Sequence, residues 1–185
     1  MVPPHATMDL MLESERIKGK VRDIKDFPTP GVVFKDIAPV LDDAELFHEI
    51  VDELANRFRM LDVEKVVGVD ARGFLLAAPV AYLLNAGIVM ARKKGKLPYE
   101  TVKRDHGLEY GQGTLEIHTD AIRRGERVAI IDDVLATGGT SRAAVELVEE
   151  LGGAIAGIGF LIELAGMSGR NLLIPHTIFS LLTYV

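Results

Sequence analysis

The chain has 185 residues, 48% of them hydrophobic, which suits one compact domain with a sizeable core and would crowd two. Its 21 basic and 27 acidic side chains leave a formal charge of −6, which excludes nucleic-acid binding driven by overall charge, so any anion site must be local. Cysteine is absent, which excludes a disulfide framework and thiolate metal sites and is compatible with a reducing cytosol.

Residues 1–10 contain no basic segment leading into an apolar run, so a cytoplasmic protein without a secretory signal is expected. Leu10, Ile17, Val21 and Ile24 recur at helical spacing and predict an N-terminal helical segment within residues 1–26, ahead of the Pro28-Thr29-Pro30-Gly31 turn. Leu46, Phe47, Ile50, Val51, Leu54 and Phe58 predict a second helix, which Asp42 or Asp43 could cap. There follow a strand over 65–69, a helix over 74–85, a strand over 88–91, a long polar segment, a strand over 127–131, a helix over 140–151 and a strand over 154–162. Residues 74–91 carry no charge and approach the length of a membrane span. Asn85-Ala86-Gly87 reads as a helix stop, however, so the run divides into two elements of a soluble protein and no membrane partner is expected. No repeat or linker interrupts the chain, and a single domain over residues 1–185 is predicted. The alternation predicts an α/β fold with a mostly parallel central sheet flanked by helices, and places ligands at the carboxyl ends of its strands.

The richest segment is Val128-Ala129-Ile130-Ile131-Asp132-Asp133-Val134-Leu135-Ala136-Thr137-Gly138-Gly139-Thr140-Ser141. A buried strand emerges there into two adjacent carboxylates, which suit a vicinal diol or a metal-bound ligand. Gly138 and Gly139 let the backbone turn its N–H groups inward, the hydroxyls of Thr137, Thr140 and Ser141 add donors, and the following helix offers its positive end. Alone, Thr-Gly-Gly-Thr reads equally well as a capped strand-turn-helix; the preceding Asp-Asp favours a phosphate beside a ribose. The segment is neither a P-loop nor a dinucleotide fingerprint.

This segment resembles the 5-phosphoribosyl 1-diphosphate loop of the type I phosphoribosyltransferases. The resemblance implies that fold, with a mobile hood, and implies that Ala136, Thr137, Gly138, Gly139 and Thr140 bind the 5′-phosphate while Asp132 and Asp133 bind the ribose hydroxyls. Three further segments resemble the members of that family that act on adenine. Phe27-Pro28-Thr29-Pro30-Gly31-Val32-Val33-Phe34-Lys35-Asp36-Ile37 is similar to their purine-contacting segment, which implies that Phe34 stacks on the base and that backbone groups of Val33 and Lys35 meet its edge. Some relatives carry arginine in place of Lys35, so the contact carried over is the backbone one. Val67-Gly68-Val69-Asp70-Ala71-Arg72-Gly73 is similar to the diphosphate loop, with Ala71 where a serine is frequent, so a backbone role for Ala71 and a side-chain role for Arg72 carry over. Arg92-Lys93-Lys94-Gly95-Lys96 and Leu108-Glu109-Tyr110-Gly111 resemble the basic patch and flexible hood over residues 92–113. Diphosphate contacts by Arg92, Lys93 and Lys96, and proton transfer by Glu109, follow from that likeness.

The resemblance implies a homodimer in which residues near Arg92 reach toward the partner, and a Mg²⁺-dependent displacement at the anomeric carbon with adenine as acceptor. No dedicated metal cage is expected, since the cation would bind through substrate oxygens and water. His5, His48, His106, His118 and His176 show no paired spacing of the kind a zinc helix needs. Two rival readings remain. A transferase for 6-oxopurines would share the Asp-Asp loop, although residues 31–36 argue against it. A non-catalytic regulator sensing the same donor would need an added nucleic-acid-binding element, and no basic helix precedes Phe27.

Overall fold

The computed structural model describes residues 15–108 and 111–185, and the chain divides into two compact units, Met1–Ile50 and Val51–Val185. The first contains a helix, α1 (residues 15–20), an antiparallel pair of strands, β1 (Arg22–Lys25) and β2 (Val33–Asp36), and a short helix, α2 (Ala38–Asp42). The junction of the units falls within α3 (Ala44–Phe58). Asp43 caps this helix by accepting from the backbone N–H of Leu46 at 3.3 Å, and that bond is the main reason its carboxyl titrates below its ordinary value. Leu46, Ile50, Val51, Leu54 and Phe58 are buried along one stripe, as their spacing predicts.

The N-terminal helical reading needs correction. Helix α1 stops at Lys20, Ile24 lies in β1, and Leu10 falls outside the described residues. Of the described stripe members Ile17 is buried, whereas Ile24 is exposed and pairs with Phe34 across the hairpin. Cross-strand ion pairs, Arg22–Asp36 at 2.6 Å and Lys35–Asp23 at 2.6 Å, favour the strand over another helical turn.

The second unit holds strands β3 (Lys65–Val69), β4 (Gly87–Lys93), β5 (Thr101–Leu108), β6 (Gly111–His118), β7 (Arg127–Leu135), β8 (Ala154–Leu164) and β9 (Ile178–Tyr184), with helices α4 (Gly73–Leu83) and α5 (Gly139–Glu150). They form one sheet of order β5-β6-β4-β3-β7-β8-β9, whose last five strands run parallel. The long polar segment is not irregular: β5 and β6 make an antiparallel hairpin, joined to β4 through Arg92 opposite Glu116 and Lys93 opposite Leu115.

Side chains alternate across the sheet with a period of two. Val67, Val69, Val128, Ile130, Ile158 and Phe160 enter a core cluster with Ala144, Leu147 and Val148 of α5. Gly68 faces the other side, where an added Cβ would lie 2.8 Å from the Cβ of Ala77 on α4. The unit β3-α4-β4 winds toward one sheet edge and β7-α5-β8 toward the other, so right-handed crossovers put α4 and α5 on opposite faces. Strand order therefore reverses between β3 and β7, and a crevice opens beyond their carboxyl ends.

Candidate functional site

The crevice is built by a length mismatch between neighbouring strands. Pairing of β3 with β7 ends at Gly68 opposite Ile131, whereas β7 continues along β8 to Leu135 opposite Glu163. The predicted strand end at Ile131 was thus too early; Asp132 and Asp133 lie within β7, on a stretch whose β3 edge is open. Both carboxylates are nonetheless buried. Nε of Arg72, at the start of α4, lies 2.6 Å from Oδ2 of Asp133 as an ion pair. Asp132 accepts from the backbone N–H of Asp133 at 2.9 Å, and Gly73 packs so closely that a Cβ there would lie 2.8 Å from Oδ1 of Asp132. Burial first, and then the neighbouring charge of Asp133, push the Asp132 carboxyl well above the usual carboxylate range, despite that N–H and the charge of Arg72.

The loop after β7 turns through Gly138 with φ +83°, a conformation that favours glycine, and α5 begins at Gly139. Its first N–H groups have no partners within the helix and so are available to an anion. Backbone encloses this loop from two directions. A Cβ on Gly139 would collide with the carbonyl oxygen of Gly107 in β5, and one on Gly138 would lie 2.6 Å from the carbonyl oxygen of Gly169. Ion pairs from Arg104 to Glu146 at 3.6 Å and to Glu150 at 2.7 Å tie β5 to α5.

Beyond β3, Asp70 donates its N–H to the carbonyl of Ala91 at 2.9 Å, and the Asp70–Ala71 peptide is cis. Arg92 turns onto Asp70 of its own chain, Nε to Oδ2 at 3.2 Å, and donates from Nη1 to the carbonyl of Lys96 at 3.0 Å. The turn bearing Lys93, Lys94 and Lys96 is pinned by Glu116, which accepts from the N–H of Gly95 at 3.0 Å and lies 3.1 Å from Nζ of Lys103. Burial alone would raise the Glu116 carboxyl; the Gly95 N–H and the lysines outweigh it and hold the group below its ordinary value.

The structure thus gathers Asp132, Asp133, Ala71, Arg72, Arg92 and the loop of residues 136–140 at neighbouring strand ends, with Lys93 and Lys96 on the adjoining turn. Val33, Phe34 and Lys35 occupy β2 of the first unit, and Glu109 lies outside the described residues. The ring of Phe34 in β2 meets that of Phe27, from the connection between β1 and β2, edge to face, 5.2 Å between centroids. Successive strand residues aim their backbone groups at opposite edges, so Val33 and Lys35 share one edge of β2 while the Lys35 side chain is tied to Asp23. Sequence reasoning missed Gly107, Glu116 and Gly169. Only Glu116 carried a signal: it alternates with Leu115 and Ile117, both in the core, and its burial on the opposite face comes from the basic turn folding over it.

The phosphoribosyl transferase domain family matches residues 40–173, which makes the chain a phosphoribosyltransferase. An adenine phosphoribosyltransferase of Geobacter metallireducens is 55% identical over 92% of this chain and 99% of its own. Among solved structures, the adenine phosphoribosyltransferase of Rhodothermus marinus superposes with a TM-score of 0.90 at 46% identity, covering 94% of this chain and 99% of its own. That of Saccharomyces cerevisiae, complexed with an imino-altritol bisphosphate and adenine, gives a TM-score of 0.85 at 34% identity, covering 92% and 99%. The chain belongs to the adenine phosphoribosyltransferases, a family of enzymes of purine salvage. Among the described residues no helix is long and apolar enough to cross a membrane.

Proposed function

We propose that this enzyme transfers ribose 5-phosphate from 5-phosphoribosyl 1-diphosphate to adenine, yielding AMP and diphosphate, in the cytoplasm and with residues 1–185 acting as one catalytic domain. The observation that carries the reading is the meeting of Arg72 with Asp133 at the β3/β7 crevice, directly before the glycine loop. A donor laid there would meet loop N–H groups for its 5′-phosphate, two carboxylates for its ribose hydroxyls and a guanidinium for its diphosphate. The bisphosphate and adenine named for the yeast relative support the same pair of ligands.

As the bond to diphosphate breaks, positive charge develops on the ribose, and the buried carboxylates face it with little water to screen them. Arg72, Arg92, Lys93 and Lys96 oppose the charge of the departing diphosphate, together with backbone at Ala71. Phe34 supplies a stacking surface, and Glu109 takes up the proton released from the purine imidazole ring. Residues 92–113, the basic patch and hood, cover the reacting centre and keep water from capturing the ribosyl cation. Mg²⁺ would be carried by substrate oxygens and water, beside the buried carboxylates of Asp132 and Asp133. Bound that way, it would offset charge on the leaving diphosphate.

Adenine is expected to exceed hypoxanthine, guanine and xanthine in kcat/KM. A backbone carbonyl at the 6-position would oppose a 6-oxo group, and an unsatisfied buried pair costs about 1–3 kcal/mol. Phe34→Ala is expected to lower kcat/KM for every purine about tenfold or more, since base–aromatic stacking is worth about 1–3 kcal/mol, while leaving their rank order intact. Steady-state kinetics with the four bases at saturating donor and Mg²⁺ tests both points. A 6-oxopurine used as well as adenine would overturn the acceptor assignment and leave phosphoribosyl transfer standing.

The reading extends to a homodimer. Helix α4 carries no charged residue and leaves Leu75, Tyr82 and Leu83 exposed, beside exposed Ile88 and Met90 of β4, and a helix apolar all round is ordinarily covered. Sedimentation is expected to give a dimer for the natural chain and a monomer for Leu75→Asp; a natural chain that sediments as a monomer would refute the assembly.

A further inference from the structure

We infer that Glu163, Arg170 and Ser180, none of which belongs to the glycine-loop motif, form a clamp that positions the loop of residues 136–140 for the donor's 5′-phosphate. This rests on the phosphate role proposed for that loop. Glu163 is buried near the end of β8, beside Leu135 of β7. After β8 the chain makes two short 3-10 turns, Ala165–Met167 and Gly169–Leu173, separated by Ser168 at φ +57°. The guanidinium of Arg170 returns from the second turn and grips Glu163 with two bonds, Nε to Oε1 at 2.9 Å and Nη2 to Oε2 at 2.6 Å. Ser180 on β9 donates to Oε2 of Glu163 at 2.7 Å, and Arg170 reaches the carbonyl of Ile178 at 3.4 Å. One carboxylate thereby fastens the turn to two adjacent strands.

The residue so fastened, next to Arg170, is Gly169. Its backbone lies directly on the glycine loop: an added Cβ would collide with the carbonyl oxygen of Ala136 and lie 2.8 Å from the nitrogen of Gly138 and 2.9 Å from the carbonyl carbon of Thr137. Reciprocally, a Cβ on Gly138 would lie 3.0 Å from the Cα of Gly169. No side chain cushions this contact, so a shift of the turn moves the loop backbone and the N–H groups it aims. An ion pair with one exposed partner is a weak device for stability, but a planar two-bond fork fixes direction as well as distance. The Arg170 bond holds Glu163 below its ordinary pKa and raises that of Arg170, as expected of a pair that stays charged throughout the working range.

The test uses the full-length enzyme and Glu163→Gln, Arg170→Lys and Ser180→Ala. Donor and adenine affinities are measured by calorimetry and by KM, and folding by thermal melting. Arg170→Lys keeps the charge but loses the fork, and a sub-ångström loss of aim is expected to weaken donor binding about tenfold or more while adenine KM stays unchanged. Glu163→Gln should do the same and Ser180→Ala less. Guanidinium added to Arg170→Ala should restore part of the donor affinity. Unchanged donor affinity in folded Arg170→Lys and Glu163→Gln overturns the clamp while leaving the transferase reading intact. Equal weakening of both substrates together with a lowered Tm, or failure of all three variants to fold, assigns the network to stability alone and also overturns it. A natural enzyme that binds no donor overturns both readings.

Discussion

Replacing Asp132 and Asp133 together by asparagine is expected to abolish phosphoribosyl transfer while leaving a folded protein. Asparagine preserves the size of each side chain but lacks the charge that opposes a cationic ribose, and its amide presents donors where a diol needs acceptors. Removing one preorganised electrostatic contact commonly costs about 10²–10³-fold in kcat, so the loss of two should take turnover below detection in a steady-state assay. Near-normal turnover would remove both residues from the site.

The single change Asp132→Asn separates function from stability. Its Oδ1 can still accept the N–H of Asp133, while the buried charge disappears. Because the folded chain raises the Asp132 pKa, ionisation of this group opposes folding. At a pH below the ordinary carboxylate range, Asp132 is protonated in folded and unfolded chains alike and there is no penalty. The penalty grows as pH rises through that range and is complete above the raised folded value. At neutral pH Asp132→Asn should therefore melt higher than the natural chain, by about 2–4 °C for each kcal/mol gained, and the two melting curves should converge as the solution is acidified. A variant that melts lower at neutral pH would show that the charge of Asp132 is compensated in the free enzyme.

The parallel core and the acid pair could be read from sequence because each rests on local pattern. Val66 and Val67 end at a charged turn, and Val128 to Ile131 form an apolar run before two acids; their helices follow at once. What could not be read depends on neighbours distant in the chain. Residues 101–118 carry many charges, as edge strands do, so their pairing into a hairpin leaves little hydrophobic trace beyond Leu115 and Ile117. The open edge of β7 at Asp132 and Asp133 exists because β3 stops short, which its own residues do not announce. Ile17, Val21 and Ile24 mimic a helical stripe, yet Ile24 answers to its partner Phe34 in the hairpin. Gly107 and Gly169 look like ordinary loop glycines until the fold lays each against the loop after β7.

Gly139→Val is expected to weaken donor binding by a large factor and leave adenine binding nearly unchanged. Gly139 opens α5 with no left-handed backbone requirement, so valine costs the helix little and the protein should fold. The space is what valine cannot have. Its Cβ alone would collide with the carbonyl oxygen of Gly107, and the branched methyl groups would crowd the N–H groups of the cradle. Either the loop shifts and loses its aim at the 5′-phosphate or β5 is driven off the start of α5, and a displacement of about 1 Å at a positioned group can cost about 100-fold. Calorimetry with the donor and with adenine separates this from general damage, and hydrogen exchange across residues 101–108 reports whether the hairpin has lifted. Equal losses for both ligands would point to a disturbed fold, and full donor affinity with a folded protein would place the 5′-phosphate away from this loop.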